Sequence, residues 1–440
     1  MIDANRRMLL GAGAMISLGG AARPTRGGEV PALEPEGALA SEVEADLLRY
    51  VGFGEKQAGG AGDNACGEWL AGELSAAGYA VERQVFKAPY FDTRKAELTV
   101  EGAAAAVYPQ PIVRMTGADG VSGPLVRVDA VGRFAGSLEG AIALVDLAFS
   151  RWSTMLSPGA RGPVEAAFAA GAVAVIAITN GPTGKVIALN ADGRAPMFRG
   201  PVALLAPEDA GPFLAAAFER KPGRLVLDGE GGHRDAFNFV GRLDRGKGRW
   251  LAISTPRSGW FTCAAERGPG VAAWLHLARW AAAGLPDHDL AFICNTGHEY
   301  EYLGASEAMK AIAPPPDRTD FWLHLGANVA ARDWHEIPGR PTPLPSVDSQ
   351  RFLSVSPSLL PLARSIFAGQ IGYEQPVSSD VLAAGELVEV IKSGYAPAAG
   401  VFGIHRYHHV AEDDERCLNP TATVVAAAGF RRLLQAVVAR

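Results

Sequence analysis

Cysteine is scarce in this chain: Cys66, Cys263, Cys294 and Cys417 are the only four in 440 residues, and none stand close enough for zinc-knuckle spacing. An oxidising compartment permits one or two disulfides, and spacing does not choose the pairs. A long positive stripe is also missing. The formal net charge is -6 with basic and acidic residues interspersed, and no run interleaves aromatic and basic side chains, so nucleic acid is excluded as the expected partner. The apolar run near the amino terminus is shorter than the ~20 residues that span a bilayer, and no membrane span is expected in the mature protein. What remains is 48% hydrophobic and 20% charged, an ordinary globular balance, at a length that suits two domains or one with a large insert.

The amino terminus reads as an address. Arg6 and Arg7 precede a weakly apolar run rich in Gly and Ala that ends at Gly20, Ala21 and Ala22, the three-part layout of an export signal over residues 1–22. Paired arginines favour the twin-arginine route, which places the mature protein in a periplasm or outside the cell.

Residues 250–306 form the densest readable stretch, in the order strand, loop, helix, strand, loop, helix. Residues 251–254 are apolar and stop at a polar loop holding Thr255, Arg257 and Ser258. Val271, Trp274, Leu275, Ala278 and Ala282 recur at helical spacing, and residues 290–294 make a second apolar strand ending at His298, Glu299 and Tyr300. Strands alternating with helices of this length pair in parallel and present their functional loops at the carboxyl ends, which puts Thr255 to Arg257 and His298-Glu299 on one edge. Upstream, Asp63 or Asn64 is placed to cap a helix ending at Gly78, followed by a strand over 79–86. Residues 113–230 change character to short apolar strands with one small helix. A glycine run at 229–232 reads as a flexible joint, and Asn419-Pro420 opens a closing amphipathic helix.

Gly140 to Val145 and Ala167 to Ile176 resemble the strand and helix–strand signatures of the protease-associated domain, which implies a lid or recognition surface without catalytic groups. The rest resembles the M28 family of zinc-dependent aminopeptidases and carboxypeptidases. Asn238-Phe239-Val240-Gly241 is similar to its "N-V-V-G" strand, 292–306 to its "E-E-x-G-L-x-G-S" element, Ser379-Asp380 to its "S-D" segment, and 407–413 to its "Y-H-T-x-x-D" segment. The implied fold is a three-layer α/β sandwich with a mainly parallel mixed sheet and a β-rich protease-associated insert. The expected divisions are 40–110 and 232–440 for the main domain and 111–231 for the insert.

The family holds two zinc ions with a His, a bridging Asp, a Glu, a second Asp and a final His, beside a glutamate base; two cations acidify a shared water and polarise the scissile carbonyl. Carried over, the "H-x-D" falls on Thr255-Pro256-Arg257, the bridging Asp on Glu266, and the "E-E" pair on Glu299-Tyr300 or, one residue earlier, His298-Glu299. The second Asp falls on Gly326 or His324, and the final His on His409 with His408 as rival. This implies that a di-zinc centre is not expected. A guanidinium cannot lose its proton, so Arg257 near Glu266 or Glu299 is expected to form an ion pair where metals would sit.

Two readings follow. One is a pseudopeptidase whose cleft binds a peptide, a small amide-type ligand or another partner. The other is a peptide- or amide-bond hydrolase with one zinc on Glu266, Glu299 and His409, His324 being a further candidate, or without metal. In the metal-free form His298 or Glu299 acts as base beside Arg257 as electrophilic clamp, with Glu299 or Asp380 poising His298 and Ser258 or Thr255 supplying a nucleophile. Tyr300, Tyr302, Tyr407 and Ser258 are the candidate substrate contacts. The plainer alternatives are a strand-capping His298, a helix cap for Ser379 and Asp380, a buried or disulfide-bonded Cys263, and packing roles for the tyrosines.

Overall fold

The computed structural model describes residues 37–440 apart from 336, 338 and 339; the export signal expected over 1–22 lies outside the described residues. Four parallel strands form the centre of the main sheet, in the order Asp289–Asn295, Trp250–Pro256, Thr319–Leu325 and Ala398–Gly403. Arg351–Val355 is added antiparallel on one side and Pro222–Leu243 on the other. Along Trp250–Pro256 successive side chains take opposite faces, as strand geometry requires. Leu251 and Ile253 pack with Trp274, Leu277 and Phe430 of the long helices Ala264–Gly284 and Pro420–Val438, whereas Ala252 packs with Ala308, Leu387 and Val390 of the helices Leu303–Ala311 and Leu387–Lys392. The result is the expected three-layer α/β sandwich with a mainly parallel mixed sheet.

The second β-rich region continues from this sheet. Val121–Val128 pairs antiparallel with Pro222–Leu243, and Ile142–Asp146, Ala174–Ile178 and Val202–Leu205 follow in parallel. One face of these strands carries Val126, Ala143, Val145 and Val175, in a core shared with Leu47, Ala264, Val410 and Leu418 of the main body. The other face is closed by Phe213.

Two local expectations need correction. The glycine run 229–232 is not a joint: it lies inside the 22-residue strand Pro222–Leu243, which pairs antiparallel with Ala80–Val100 through Gly229 opposite Thr93 and Gly231 opposite Phe91. A Cβ at Gly229 would come 2.7 Å from the Phe91 ring, so the glycine leaves room for an aromatic neighbour. Nor does Asp63 or Asn64 cap the helix Ala61–Ala76. Its N-cap is Gly60, and Asp63 is turned inward. The cap by Asn419 on Pro420–Val438 is as expected, with Oδ1 accepting from the Ala422 N–H at 3.1 Å. All four cysteines are buried free thiols rather than disulfides.

Two glycines distinguish close approach from simple backbone freedom. At Gly304 an added Cβ would stand 1.7 Å from the Thr296 carbonyl oxygen, beside the turn that carries His298 and Glu299. At Gly72, exposed in a helix, it would meet nothing within 4 Å. Gly304→Ala is therefore expected to lower unfolding free energy by about 1–3 kcal/mol, and Gly72→Ala to raise it by up to ~1 kcal/mol, in urea titrations of the two variants.

Candidate functional site

The carboxyl ends of the central parallel strands converge on a buried, highly charged chamber. Thr255 lies one residue before the end of its strand, its hydroxyl donating to the Leu325 carbonyl at 2.8 Å, and the Arg257 N–H donates to the Asn295 carbonyl at 2.9 Å. The Arg257 side chain turns away from the glutamates. It is fully buried, with Nε 2.9 Å from Asp63 Oδ1, NH2 donating to the Phe237 carbonyl and its carbon 4.6 Å from the Phe237 ring centre. Burial raises the Asp63 carboxyl above its usual range, and the Arg257 charge opposes that. The expected ion pair of Arg257 with Glu266 or Glu299 is thus corrected: its partner is Asp63.

The guanidinium beside Glu266 belongs to Arg267. Both side chains are fully buried, and Arg267 NH2 stands 2.7 Å from Glu266 Oε1. These residues begin the helix Ala264–Gly284, whose first turn is fixed by Asp413, accepting from the Ala265 and Glu266 N–H groups at 2.9 and 3.0 Å. Arg267 Nε donates to the Ser258 carbonyl at 3.1 Å. On the other side of the carboxylate, His409 Nε2 lies 3.3 Å and His408 Nδ1 3.9 Å from Glu266 Oε1, with the two imidazoles stacked at 3.9 Å. Burial alone would raise the Glu266 carboxyl; Arg267, His409 and His408 together hold it well below the carboxylate range.

His409 Nδ1 faces the Ala188 carbonyl at 2.9 Å, and a carbonyl can only accept, so Nδ1 carries a proton. Its Nε2 is turned to the Glu266 carboxylate and has no hydrogen-bond partner among the described residues. Glu266, His408 and His409 offer ligand atoms within 4.8 Å of one another.

Glu299 is held apart from this trio. Its Oε1 accepts from the Ala58 N–H at 2.6 Å and its Oε2 from the Ser258 hydroxyl at 2.8 Å, and burial pushes its carboxyl up to about 7. Ser258 Oγ also accepts from the Gly297 and His298 N–H groups, at 2.7 and 3.3 Å, so its hydroxyl is committed. His298 Nδ1 lies 3.3 Å from Glu386 Oε1, and burial reinforced by the Arg267 charge lowers the imidazole to about 4. The partner expected for His298 was Glu299 or Asp380; it is Glu386, while Asp380 is exposed beyond the short strand Val377–Ser378. His324 stands in the same region. Trp322 Nε1 donates to Ser254 Oγ, His324 Nδ1 is hydrogen-bonded to the same hydroxyl at 2.9 Å, and His324 Nε2 is buried without a hydrogen-bond partner among the described residues.

The remaining candidates are engaged in packing contacts. Tyr300 accepts from Gln57 Nε2 at 2.7 Å and meets Trp260 edge to face; the Tyr407 ring packs against Trp334. Tyr302 lies against the His298 ring, 5.0 Å between centres. Cys263 touches the Tyr50 hydroxyl at 3.1 Å, and burial pushes its thiol up to about 12, which leaves no thiolate at neutral pH. The β-rich region covers the chamber. The Ala188 N–H donates to the His409 carbonyl, the Ala191 N–H donates to the Glu299 carbonyl, and Asn190 Oδ1 accepts from Trp260 Nε1 at 2.9 Å.

Sequence reasoning missed Arg267, Glu386 and Asp63. Adjacent residues on a helix do not ordinarily face each other, so Glu266-Arg267 carried no pairing signal. Glu386 lies 88 residues from His298 in a stretch without a motif.

No family model matches the chain, and no curated protein matches it. Solved structures do. An M28 peptidase precursor from Shewanella amazonensis has a TM-score of 0.70 at 17% identity, covering 91% of this chain and 95% of that one. A zinc aminopeptidase from Bacillus subtilis gives 0.68 at 18% identity over 89% and 95%. An aminopeptidase from Aneurinibacillus gives 0.63 at 17% over 89% and 93%. At these identities the likeness establishes the fold: this chain has the α/β fold of M28 zinc aminopeptidases.

Two measurements follow from the buried charges. Removing Arg257 strands the Asp63 carboxylate, so Arg257→Ala is expected to cost about 3–5 kcal/mol in equilibrium unfolding. Glu299 binds its proton more tightly folded than unfolded, so its contribution falls as pH rises from 4.5 to about 7 and is constant above that. Glu299→Gln removes that loss. The stability of Glu299→Gln relative to the parent should therefore rise across that window, by on the order of 3 kcal/mol at most, in unfolding curves at pH 5 and pH 8.

Proposed function

We propose that this is an exported protein of M28 fold in which a buried ion-pair network stands in place of a di-zinc centre, and that its cleft binds a peptide or amide-type ligand without ordinary aminopeptidase turnover. The observation that carries the reading is the Arg267 guanidinium at 2.7 Å from Glu266, both fully buried, beside His408 and His409. A guanidinium is a fixed cation, so it repels a dication and neutralises the carboxylate that would hold one. The residues fit two zinc ions poorly. Thr255 is tied to a backbone carbonyl, Arg257 to Asp63 and Glu299 to Ala58 and Ser258, which leaves the second metal without a ligand set. No catalytic step is therefore assigned through a di-zinc pair. The paired arginines and short apolar run of residues 1–22 support a periplasmic or secreted location, and the β-rich region over the chamber supports the protease-associated reading of residues 111–231, a lid without catalytic groups.

A second reading rests on its own observation. Glu266, His408 and His409 have converging ligand atoms, and the Nδ1–H of His409 on the Ala188 carbonyl is the arrangement that orients a metal-binding imidazole. On this reading Glu266, His408 and His409 would hold a single zinc, with Arg267 turned away, and the chemistry supplied would be polarisation of an amide carbonyl or a bound water. His298 paired with Glu386 would then be the nearby acid or base.

Zinc titration by calorimetry separates the two, with Arg267→Ala as partner experiment. The ion-pair reading expects no tight zinc binding by the parent, about one equivalent gained by Arg267→Ala, and no turnover of aminoacyl-arylamides by the parent. One tight equivalent in the parent, lost in Glu266→Ala along with amide hydrolysis, establishes the single-metal hydrolase instead. Two equivalents with turnover contradict both.

A further inference from the structure

Beside the chamber, but lined by none of its glutamates, histidines or Arg267, lies a cleft of about 400 Å³ between the strand Ala80–Val100, the segment 108–113 and the loop at Trp260. That volume is in the range of clefts that hold small ligands. Its wall is aromatic. Tyr108 meets Trp260 and Phe261 edge to face at 5.9 and 5.3 Å, and Trp260 meets Tyr300 at 6.0 Å; Trp260 and Tyr300 are buried, so they back the half-buried Tyr108 and Phe261 rings that face the cleft. Its charge is of one sign. Glu55 and Asp92 line it, both are exposed, neither has a basic partner among the described residues, and no basic side chain is among the lining. Arg234 stands behind this wall, donating to the Ala58 and Gln57 carbonyls and lying 5.5 Å from the centre of the lining Tyr90 ring, so the face of Tyr90 is already taken.

We propose that this cleft is a binding site for a cationic group, a guanidinium or ammonium on a basic peptide side chain, with the aromatic rings against the cation and Glu55 and Asp92 as its counter-charges. The physical basis is additive. Aromatic faces attract cations, more so where water is excluded, and unpaired carboxylates at the rim raise the local concentration of positive ligands. A neutral group of the same shape gains neither. The site does not depend on whether the chamber holds a metal, because the two share no charged residue.

The test compares N-acetyl-arginine amide with N-acetyl-citrulline amide, which match in shape and differ in charge, by calorimetry on the intact mature protein. The arginine compound is expected to bind at least about tenfold more tightly, with affinity falling as salt is raised. In the double variant Glu55→Gln, Asp92→Asn, whose sites are exposed and do not disturb the core, that preference should disappear. In Glu266→Gln it should persist. Equal binding of the two compounds, no binding of either at millimolar concentration, or a preference that survives in the double variant and vanishes in Glu266→Gln, overturns the proposal.

Discussion

The fixed positive charge of arginine, sealed from water, is the constraint on which the rest of this site depends. Arg257 and Arg267 are both fully buried at the carboxyl ends of the parallel strands, and neither can neutralise itself by losing a proton. Each must therefore be matched by a carboxylate within the interior. Asp63 is drawn inward from the start of its helix to meet Arg257, and Glu266 is held against Arg267 by a helix turn that Asp413 fixes. Two neighbouring histidines face acids of their own, His298 with Glu386 and His405 with Asp413, whereas His409 shares Glu266 with Arg267. At the centre of the chamber the match is ionic rather than hydrogen-bonded: both Glu266 carboxylate oxygens, Arg267 NH1 and NH2, His408 Nδ1 and His409 Nε2 are buried without a hydrogen-bond partner among the described residues.

The cover over the chamber belongs to the same balance. Ala188, Asn190 and Ala191 close backbone and side-chain hydrogen bonds onto His409, Trp260 and Glu299, which removes water from the charged groups and strengthens each pair. The loop also fixes the tautomer of His409 through the Ala188 carbonyl. The aromatic cleft next to it stays open, with its two carboxylates facing solvent. The molecule thus separates an enclosed charge network from an accessible acidic surface.

Much of the architecture was legible in the chain. The alternation of apolar strands and amphipathic helix over 250–306 gave the parallel centre, and Asn419-Pro420 marked the last helix, because hydrophobic period and capping are local properties. Less was legible where partners come from afar. The sequence pointed to an arginine among the acids but to the wrong one: Arg257 stood at a recognisable position, whereas the pairing of Arg267 depends on how a buried helix turn is oriented. Glycines at 229–232 looked like a joint because composition does not distinguish a flexible linker from a strand that makes room for Phe91. Thr255, Glu266, Glu299 and His409 were found through resemblance to a motif, and only the fold separated Glu299 from the other two acid–histidine partners.

The most direct test of the ion-pair account is a crystal structure of the protein grown with zinc present, with anomalous scattering recorded at the zinc edge. The account predicts an Arg267 guanidinium in density against Glu266 and no anomalous peak among Glu266, His408 and His409. A peak there, with Arg267 swung out of the chamber, would contradict it.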